Sequence, residues 1–235
     1  ESRGLGDVYK RQGVKCWQIL PLSPTSYGDS PYQSFSVYAG NPYFIDFDAL
    51  KQEGLLKKSD YQNIKWQDNP NQVNYSRIYE NCYKVLKIAY KTYRRDISKK
   101  YGSFVEKNKD WLEDYALFMA LKSYFNNVSW GEWETDIKFR KPEAMRHYEE
   151  QLSDDIGYWK FIQFEFYRQW TALKKYANDN GIEIIGDIPI YMGYDSVDVW
   201  ANQGEFQLDE NLTPIKVAGV PPDAFSDACL LYTSP

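Results

Sequence analysis

The residues best suited to chemistry lie in one run, Tyr27-Gly-Asp-Ser-Pro-Tyr-Gln-Ser-Phe-Ser36, followed at once by Gly40-Asn-Pro-Tyr-Phe-Ile-Asp46. Prolines, glycines, aromatic rings and small hydroxyls crowd together there. No helical or alternating pattern runs through them. Such a segment presents side chains in a fixed shape, and loops on rigid scaffolds are where function concentrates. Two further acids have positions that suit a site. Asp187 follows Gly186 at the end of the apolar run Ile182-Glu-Ile-Ile185. Asp223 and Phe225 lie in a second Pro/Gly stretch, Val217 to Ser226. Aromatic usage is high, with 21 Tyr, 12 Phe and 8 Trp. Most of these rings belong in a core. The remainder suit a ligand that stacks on ring faces, a sugar or a nucleobase.

Composition narrows the choice. A net charge of −5 disfavours nucleic acid, which calls for a basic patch. Cys16, Cys82 and Cys229 are scattered and form no metal-ligand spacing, so neither a zinc site nor a disulfide framework is expected. His147 is the sole histidine and reads as a surface residue, which removes a His-based triad as the default chemistry. No apolar run approaches the length of a membrane span, and the first residues lack a signal-peptide core. The expected compartment is the cytoplasm, with no membrane partner.

The elements that must position these residues follow from periodicity. Cys16 to Leu22 reads as a short buried strand, ended by Pro21. A short helix is expected from Phe47 to Leu56, with Gly54 near its end. A polar connector covers Lys57 to Asn74. A long helix then runs from about Tyr75 to Arg95, with Ile78, Cys82, Val85 and Ala89 at helical spacing. Asp110 and Glu113 suggest a capping box opening a helix with Trp111, Tyr115, Phe118, Leu121 and Phe125 on one face. Asn126 to Pro142 reads as an exposed loop carrying Trp130 and Trp133, whose rings either stack on a ligand or anchor the loop. A third helix spans about Asp155 to Asn178, its stripe formed by Trp159, Ile162, Phe166, Trp170, Leu173 and Ala177. Glu165, off that stripe, is expected to be solvated. Asn180-Gly181 stops the helix. Ile182 to Ile185 reads as a strand buried on both faces, as in a parallel sheet. Asp195 to Ala201 could start a short helix. Two strands separated by so much helix suggest an α/β barrel with a helical insertion.

Five motifs carry a resemblance. Trp17-Gln-Ile-Leu-Pro-Leu22, Tyr27 to Ser36, Gly40-Asn-Pro-Tyr43, Gly186-Asp-Ile-Pro-Ile190 and Ala218-Gly-Val-Pro-Pro-Asp223 resemble the amylomaltases, the 4-α-glucanotransferases of the α-amylase clan. They occur in the family's order, over about Gly13 to Ser226. The resemblance implies an α/β fold, a partial TIM (β/α)8 barrel with a mostly helical insertion between consecutive barrel strands. It divides the chain into a barrel strand and glucan-binding loop (13–46), a helical insertion and barrel helix (47–178), and a barrel strand with active-site loops (179–226). It implies transfer of a segment of an α-1,4-glucan to the 4-position of glucose or another glucan. The partners would be maltooligosaccharides, starch or glycogen, and glucose, with no metal or organic cofactor. The mechanism would be the retaining one, with two carboxyl groups roughly 5 Å apart.

Carried over residue by residue, Tyr32 matches the aromatic that stacks on a donor-side sugar, with Ser30 beside it. Tyr27 matches a tyrosine of a secondary glucan groove. Asp187 matches the clan's acid at the end of the third barrel strand. Asp223 and Phe225 match a loop that closes near the acceptor side. Asp29 is read either as a turn residue or as a ligand-orienting one. The family's nucleophile, in an Arg-x-Asp-His motif, its acid/base Glu and its stabilising Asp are expected beyond the C-terminus. Residues 1–12 and 227–235 depart from the family pattern and are expected to be non-native flanks of an internal fragment. Two alternatives stand beside the transferase: a non-catalytic α-glucan-binding module, and a fragment without autonomous function, its strand edges and apolar face uncovered.

Overall fold

The structure, a computed structural model, describes residues 12–69, 71–95, 98–220 and 230–233; at residues 27, 217–220 and 230–233 it describes the backbone alone. In chain order the elements are β1 (Cys16–Gln18), α1 (Phe47–Gln52), α2 (Tyr75–Tyr93), α3 (Lys99–Lys107), α4 (Lys109–Tyr124), α5 (Thr135–Lys138), α6 (Pro142–Gln151), α7 (Ser153–Asp179), β2 (Glu183–Ile185), α8 (Val197–Ala201), β3 (Val217–Val220) and β4 (Leu230–Thr233). Short 3-10 turns punctuate the connections. The expected flanks lie outside the described residues apart from residue 12 and β4. Two compact units form, interleaved in sequence: one of Glu1–Leu20, Gly40–Lys109 and Lys160–Asp187, the other of Pro21–Ala39, Asp110–Trp159 and Ile188–Pro235.

In the first unit β1 and β2 pair in parallel, with Cys16 opposite Glu183 and Gln18 opposite Ile185. The Ile19 N–H extends the pairing to the Ile185 carbonyl at 3.0 Å. Parallel pairing across a long helical stretch agrees with the sequence pattern. Burial does not. Cys16, Gln18, Glu183 and Ile185 are exposed, and only Trp17 and Ile184 are partly covered. Among the described residues this sheet has two strands, so both are edges and neither is interior. Leu20 and Ile185 therefore remain exposed despite their apolar character.

The helices of this unit follow the sequence more closely. Asp46 caps α1 by accepting from the Asp48 and Ala49 N–H groups. Gly54, at φ +77°, ends it, and the Leu55 N–H returns to the Leu50 carbonyl at 3.0 Å. That closure satisfies carbonyls that a helix end would otherwise orphan. α2 buries Cys82, Val85, Leu86, Ala89, Tyr90 and Tyr93, as its spacing predicts, whereas Ile78 is only half-buried. Burial pushes the Cys82 thiol up to about 12, so it is a packing residue and not a nucleophile. α3 has no counterpart in the periodicity reading, although Ser98 caps it through the Tyr101 N–H. From Lys160 on, α7 supplies Phe161, Ile162, Phe164 and Phe166 to the core. Phe161 meets Tyr93 at 4.8 Å between ring centroids, and Phe164 meets Phe104 at 5.7 Å. α7 stops at Asn180-Gly181, where Gly181 adopts φ +73° and the Ile182 N–H bonds the Ala177 carbonyl.

Glu165 corrects the sequence reading. Its side chain is 1% exposed, and its Oε2 accepts from Arg168 Nη2 at 2.6 Å and Nε at 3.2 Å. Arg168 also pairs with Glu53. Every residue from 161 to 166 is buried, so a position off the stripe is still inside the core. Burial raises the Glu165 carboxyl pKa, and Arg168 opposes that rise.

The second unit is organised on α4. This helix begins at Lys109, so Asp110 sits in its first turn and is not its cap. Instead of one apolar face, the whole run from Tyr115 to Lys122 is buried. Trp130 and Trp133 are buried too, at 0% and 4% exposure, which overturns the exposed loop. Phe118 lies 5.4 Å from Trp133 and 5.8 Å from Trp200, and Phe125 stacks on Trp133. These indoles anchor the segment after α4. α5 and α6 lie within and beyond the stretch read as irregular, and Pro142 opens α6 at a first-turn position that needs no N–H donor. Ser196, and not Asp195, caps α8. The second Pro/Gly stretch starts as strand β3, antiparallel to β4. His147 is exposed, as expected. No helix among the described residues is long and apolar enough to cross a membrane.

Candidate functional site

The loop after β1 owes its shape to its own small hydroxyls. Tyr27–Asp29 forms a 3-10 turn in which Gly28 and Asp29 take φ +81° and +55°. Glycine tolerates that region freely, and Asp is among the few residues that enter it readily. Asp29 thus serves the turn geometry. Ser30 Oγ accepts the Tyr32 N–H at 3.3 Å, and its carbonyl accepts the Gln33 N–H at 3.2 Å. The Ser26 N–H and hydroxyl both donate to the Gln33 carbonyl, closing the loop's base. Ser34 Oγ lies 2.7 Å from the Pro24 carbonyl and accepts the Ser36 N–H at 3.1 Å. Ser36 Oγ in turn accepts from the N–H groups of Tyr38 and Ala39. Ser34 and Ser36 are buried, so each hydroxyl needs these partners. The frame leaves Tyr32 41% exposed at its rim, with Ser30 half-buried beside it.

Residues outside the motif hold this frame, and sequence reading missed them. Asp198 Oδ2 accepts the Val37 N–H at 3.0 Å, and the Val197 N–H donates to the Phe35 carbonyl at 2.9 Å. Lys122, 1% exposed, donates to the carbonyls of Asn127 and Val128 and to Asp195 Oδ2, at 2.9, 2.8 and 2.6 Å. Its ammonium sits 5.3 Å from the centre of the Phe35 ring. Asp195 Oδ1 accepts the Trp130 N–H. Asp198 and Asp195 fall in the stretch read only as a short helix, and a lysine within an apolar helix gives no hint of its partner.

In the first unit the Gly40 motif is clamped from α7. Gln163, fully buried, accepts the Gly40 N–H at 2.7 Å and donates to its carbonyl at 3.0 Å. Gln169 does the same for Asp46, six residues on in both segments. A Cβ on Gly40 would fall 1.9 Å from Phe166 Cδ1, so the motif requires glycine there. Asp187 follows β2 by two residues and is half-buried, at the strand end where the sequence put it.

Of the predicted site residues, Ser30 and Tyr32 are brought together on one loop. Asp187 belongs to the other unit. Tyr27 is described in backbone only, within the 3-10 turn, and Asp223 and Phe225 lie outside the described residues. Among the described residues no His, Cys, Asp or Glu cluster could hold a metal ion.

Solved structures set the class. The chain superposes on an amylomaltase from Streptococcus agalactiae, solved in complex with acarbose, with a TM-score of 0.94 and 44% identity; the match covers 99% of this chain and 48% of that one. Relatives include the 4-alpha-glucanotransferases of Clostridium butyricum, 51% identical over 230 residues (97% of this chain, 47% of that protein), and Thermus thermophilus, 40% identical over 239 residues (100% and 47%). The chain belongs to the 4-alpha-glucanotransferase family, glycoside hydrolase family 77, whose profile matches residues 1–229. It spans about half the length of the curated relatives it matches.

Proposed function

We propose that this chain is the glucan-binding portion of a 4-α-glucanotransferase that moves a segment of an α-1,4-glucan onto the 4-position of glucose or another glucan. Family membership over residues 1–229 carries this reading. The build of the loop supports it. A frame locked by serine hydroxyls offers a rigid aromatic face at Tyr32 and a hydroxyl at Ser30. Rings pre-organised in this way bind sugars at little entropic cost. The reaction is a double displacement: a carboxylate attacks the anomeric carbon as a second carboxyl group protonates the leaving oxygen. A sugar hydroxyl then takes the glycosyl group from the enzyme.

In this reading Tyr32 stacks on a donor-side sugar, Ser30 bonds a sugar hydroxyl, and Asp187 contacts the sugar at the cleavage point. Asp223 and Phe225 close over the acceptor side, and Tyr27 serves a secondary glucan groove. The paired strands β1 and β2 are barrel strands, and the helices between them are the insertion. The nucleophile, the acid/base and the stabilising acid belong to the part of the relatives' length that this chain does not span. The setting is the cytoplasm.

Calorimetry with maltoheptaose and a product assay with maltotriose test the reading. The expected result is binding of maltoheptaose without glucose release. Absence of binding overturns the glucan site. Glucose together with longer maltodextrins, produced by this chain, overturns the placement of the catalytic carboxylates.

A further inference from the structure

We infer that Asp198 is a positioning residue for glucan binding: its carboxylate fixes the loop from Ser30 to Val37 in the shape that presents Tyr32. The inference rests on the proposal that this loop binds glucan, but its structural part can be tested without a ligand.

Two bonds seat the loop on the start of α8. The Phe35 carbonyl accepts the Val197 N–H at 2.9 Å, and the Val37 N–H donates to Asp198 Oδ2 at 3.0 Å. They bracket Ser36, whose backbone joins the internal network through the Ser34 hydroxyl to Pro24. That network continues by the Thr25–Ser34 bridge and the Ser26–Gln33 bond to the turn closed by Ser30. A shift at Val37 therefore passes along a continuous path to the backbone of Tyr32. The receiving platform is fixed. Trp200 of α8 is fully buried, its Nε1 donates to the Ile137 carbonyl, and Phe118 and Trp133 flank it.

Asp198 is not required to cap α8, because Ser196 Oγ already accepts the Val199 N–H. It is 8% exposed, and burying a carboxylate is unfavourable unless hydrogen bonds compensate. Burial pushes its pKa up to about 6; the N–H groups of Val37 and of Asp198 itself oppose that rise. The charged groups on the elements packed here are already engaged. Lys122 pairs with Asp195, and Arg140, over the Trp200 ring, pairs with Asp114. An acid kept in such a place, where a neutral side chain would fold more easily, is explained by what it holds. Because the Val37 bond favours the ionised form, protonation of Asp198 weakens that bond and loosens the loop.

The test compares wild type, Asp198→Asn, Tyr32→Ala and the double variant. Amide NMR of Val37 and Gln33 and the ring signals of Tyr32 are followed from pH 5 to 7.5, beside maltoheptaose calorimetry. In wild type the Val37 amide and the Tyr32 ring should titrate together near pH 6, and maltoheptaose affinity should fall on the acid side. Asp198→Asn should abolish both titrations and weaken binding about tenfold at pH 7.5, with a thermal midpoint no lower than that of wild type. In the Tyr32→Ala background the same change should have no further effect on binding. Tyr32 signals that ignore both pH and Asp198→Asn overturn the inference. Equal binding losses with and without Tyr32 also overturn it. Coupled titration without any maltoheptaose binding upholds the positioning role and removes the glucan reading alone.

Discussion

Replacing Lys122 by Met removes a charge and keeps much of the side-chain volume, so it isolates the electrostatic role of this buried amine. The wild-type ammonium is 1% exposed and answers three acceptors: Asp195 Oδ2 and the carbonyls of Asn127 and Val128. Asn127 and Val128 lie on an exposed turn, so water can replace the lysine there at small cost. Asp195 is 15% exposed on its side chain and would keep the Trp130 N–H but lose its counter-ion. Removing one partner of a buried pair costs about 3–5 kcal/mol, because the other charge stays behind. With a urea slope of roughly 2 kcal/mol/M, the midpoint should fall by about 1.5–2.5 M. Urea unfolding followed by tryptophan fluorescence reads the change directly, since Trp130, Trp133 and Trp200 lie in the same unit. Asp195→Asn keeps an acceptor for Trp130. Combined with Lys122→Met, it should recover at least about 1 kcal/mol relative to the sum of the single variants. A loss below about 1 kcal/mol for Lys122→Met, or an additive cycle, refutes the reading of Lys122 and Asp195 as a coupled buried pair.

Further outcomes follow from the same geometry. Gly40→Ala should destabilise the protein by about 1–3 kcal/mol through overpacking against Phe166, visible as a lower thermal midpoint. Tyr32→Ala should lower maltoheptaose affinity about tenfold or more, about 1.4 kcal/mol, with an unchanged melting curve, because that ring is part-exposed at the loop rim. The pH dependence of Asp198 has a definite sign. Its folded pKa is raised from 3.8 to about 6, so between those values the folded state holds more proton than the unfolded one. Its contribution to stability therefore falls as pH rises through that window, with a slope of up to about 1.4 kcal/mol per pH unit. The stability difference between wild type and Asp198→Asn, measured by urea titration at pH 4.5, 5.5 and 7, should follow that slope. A flat difference contradicts it.

Much of the local structure was legible in the residues. The stripe Cys82, Val85 and Ala89 set the buried face of α2, and Gly54 and Asn180-Gly181 marked two helix ends. Those signals are local: a 3.6-residue period, and a φ above zero that glycine adopts without strain. The loop was legible as a shaped, non-repetitive segment because its glycines, prolines and small hydroxyls fit neither a helical nor an alternating pattern. Its supports were not legible. Lys122, Asp195, Asp198 and Gln163 lie far along the chain from what they hold, and nothing local in their neighbourhoods names a partner. α3 and α6 carried signals in Ser98 and Pro142, but weak periodicity hid them.

Burial is where sequence and structure part. Glu165 was judged by its place off a stripe, yet the core surrounds α7 on more than one side there. Trp130 and Trp133 were judged by their irregular neighbourhood, yet α4, Tyr194 and Trp200 close over them. Ile185 was judged by its apolar run, yet among the described residues its sheet has two strands and no interior strand to bury it. The sequence by itself determined which family this chain belongs to and where its loop rich in hydroxyls and aromatic rings falls, because both depend on residue types at fixed short spacing. Only the tertiary structure decided what each side chain faces and what holds that loop still, because packing and buried charge pairing depend on residues distant in sequence meeting in space.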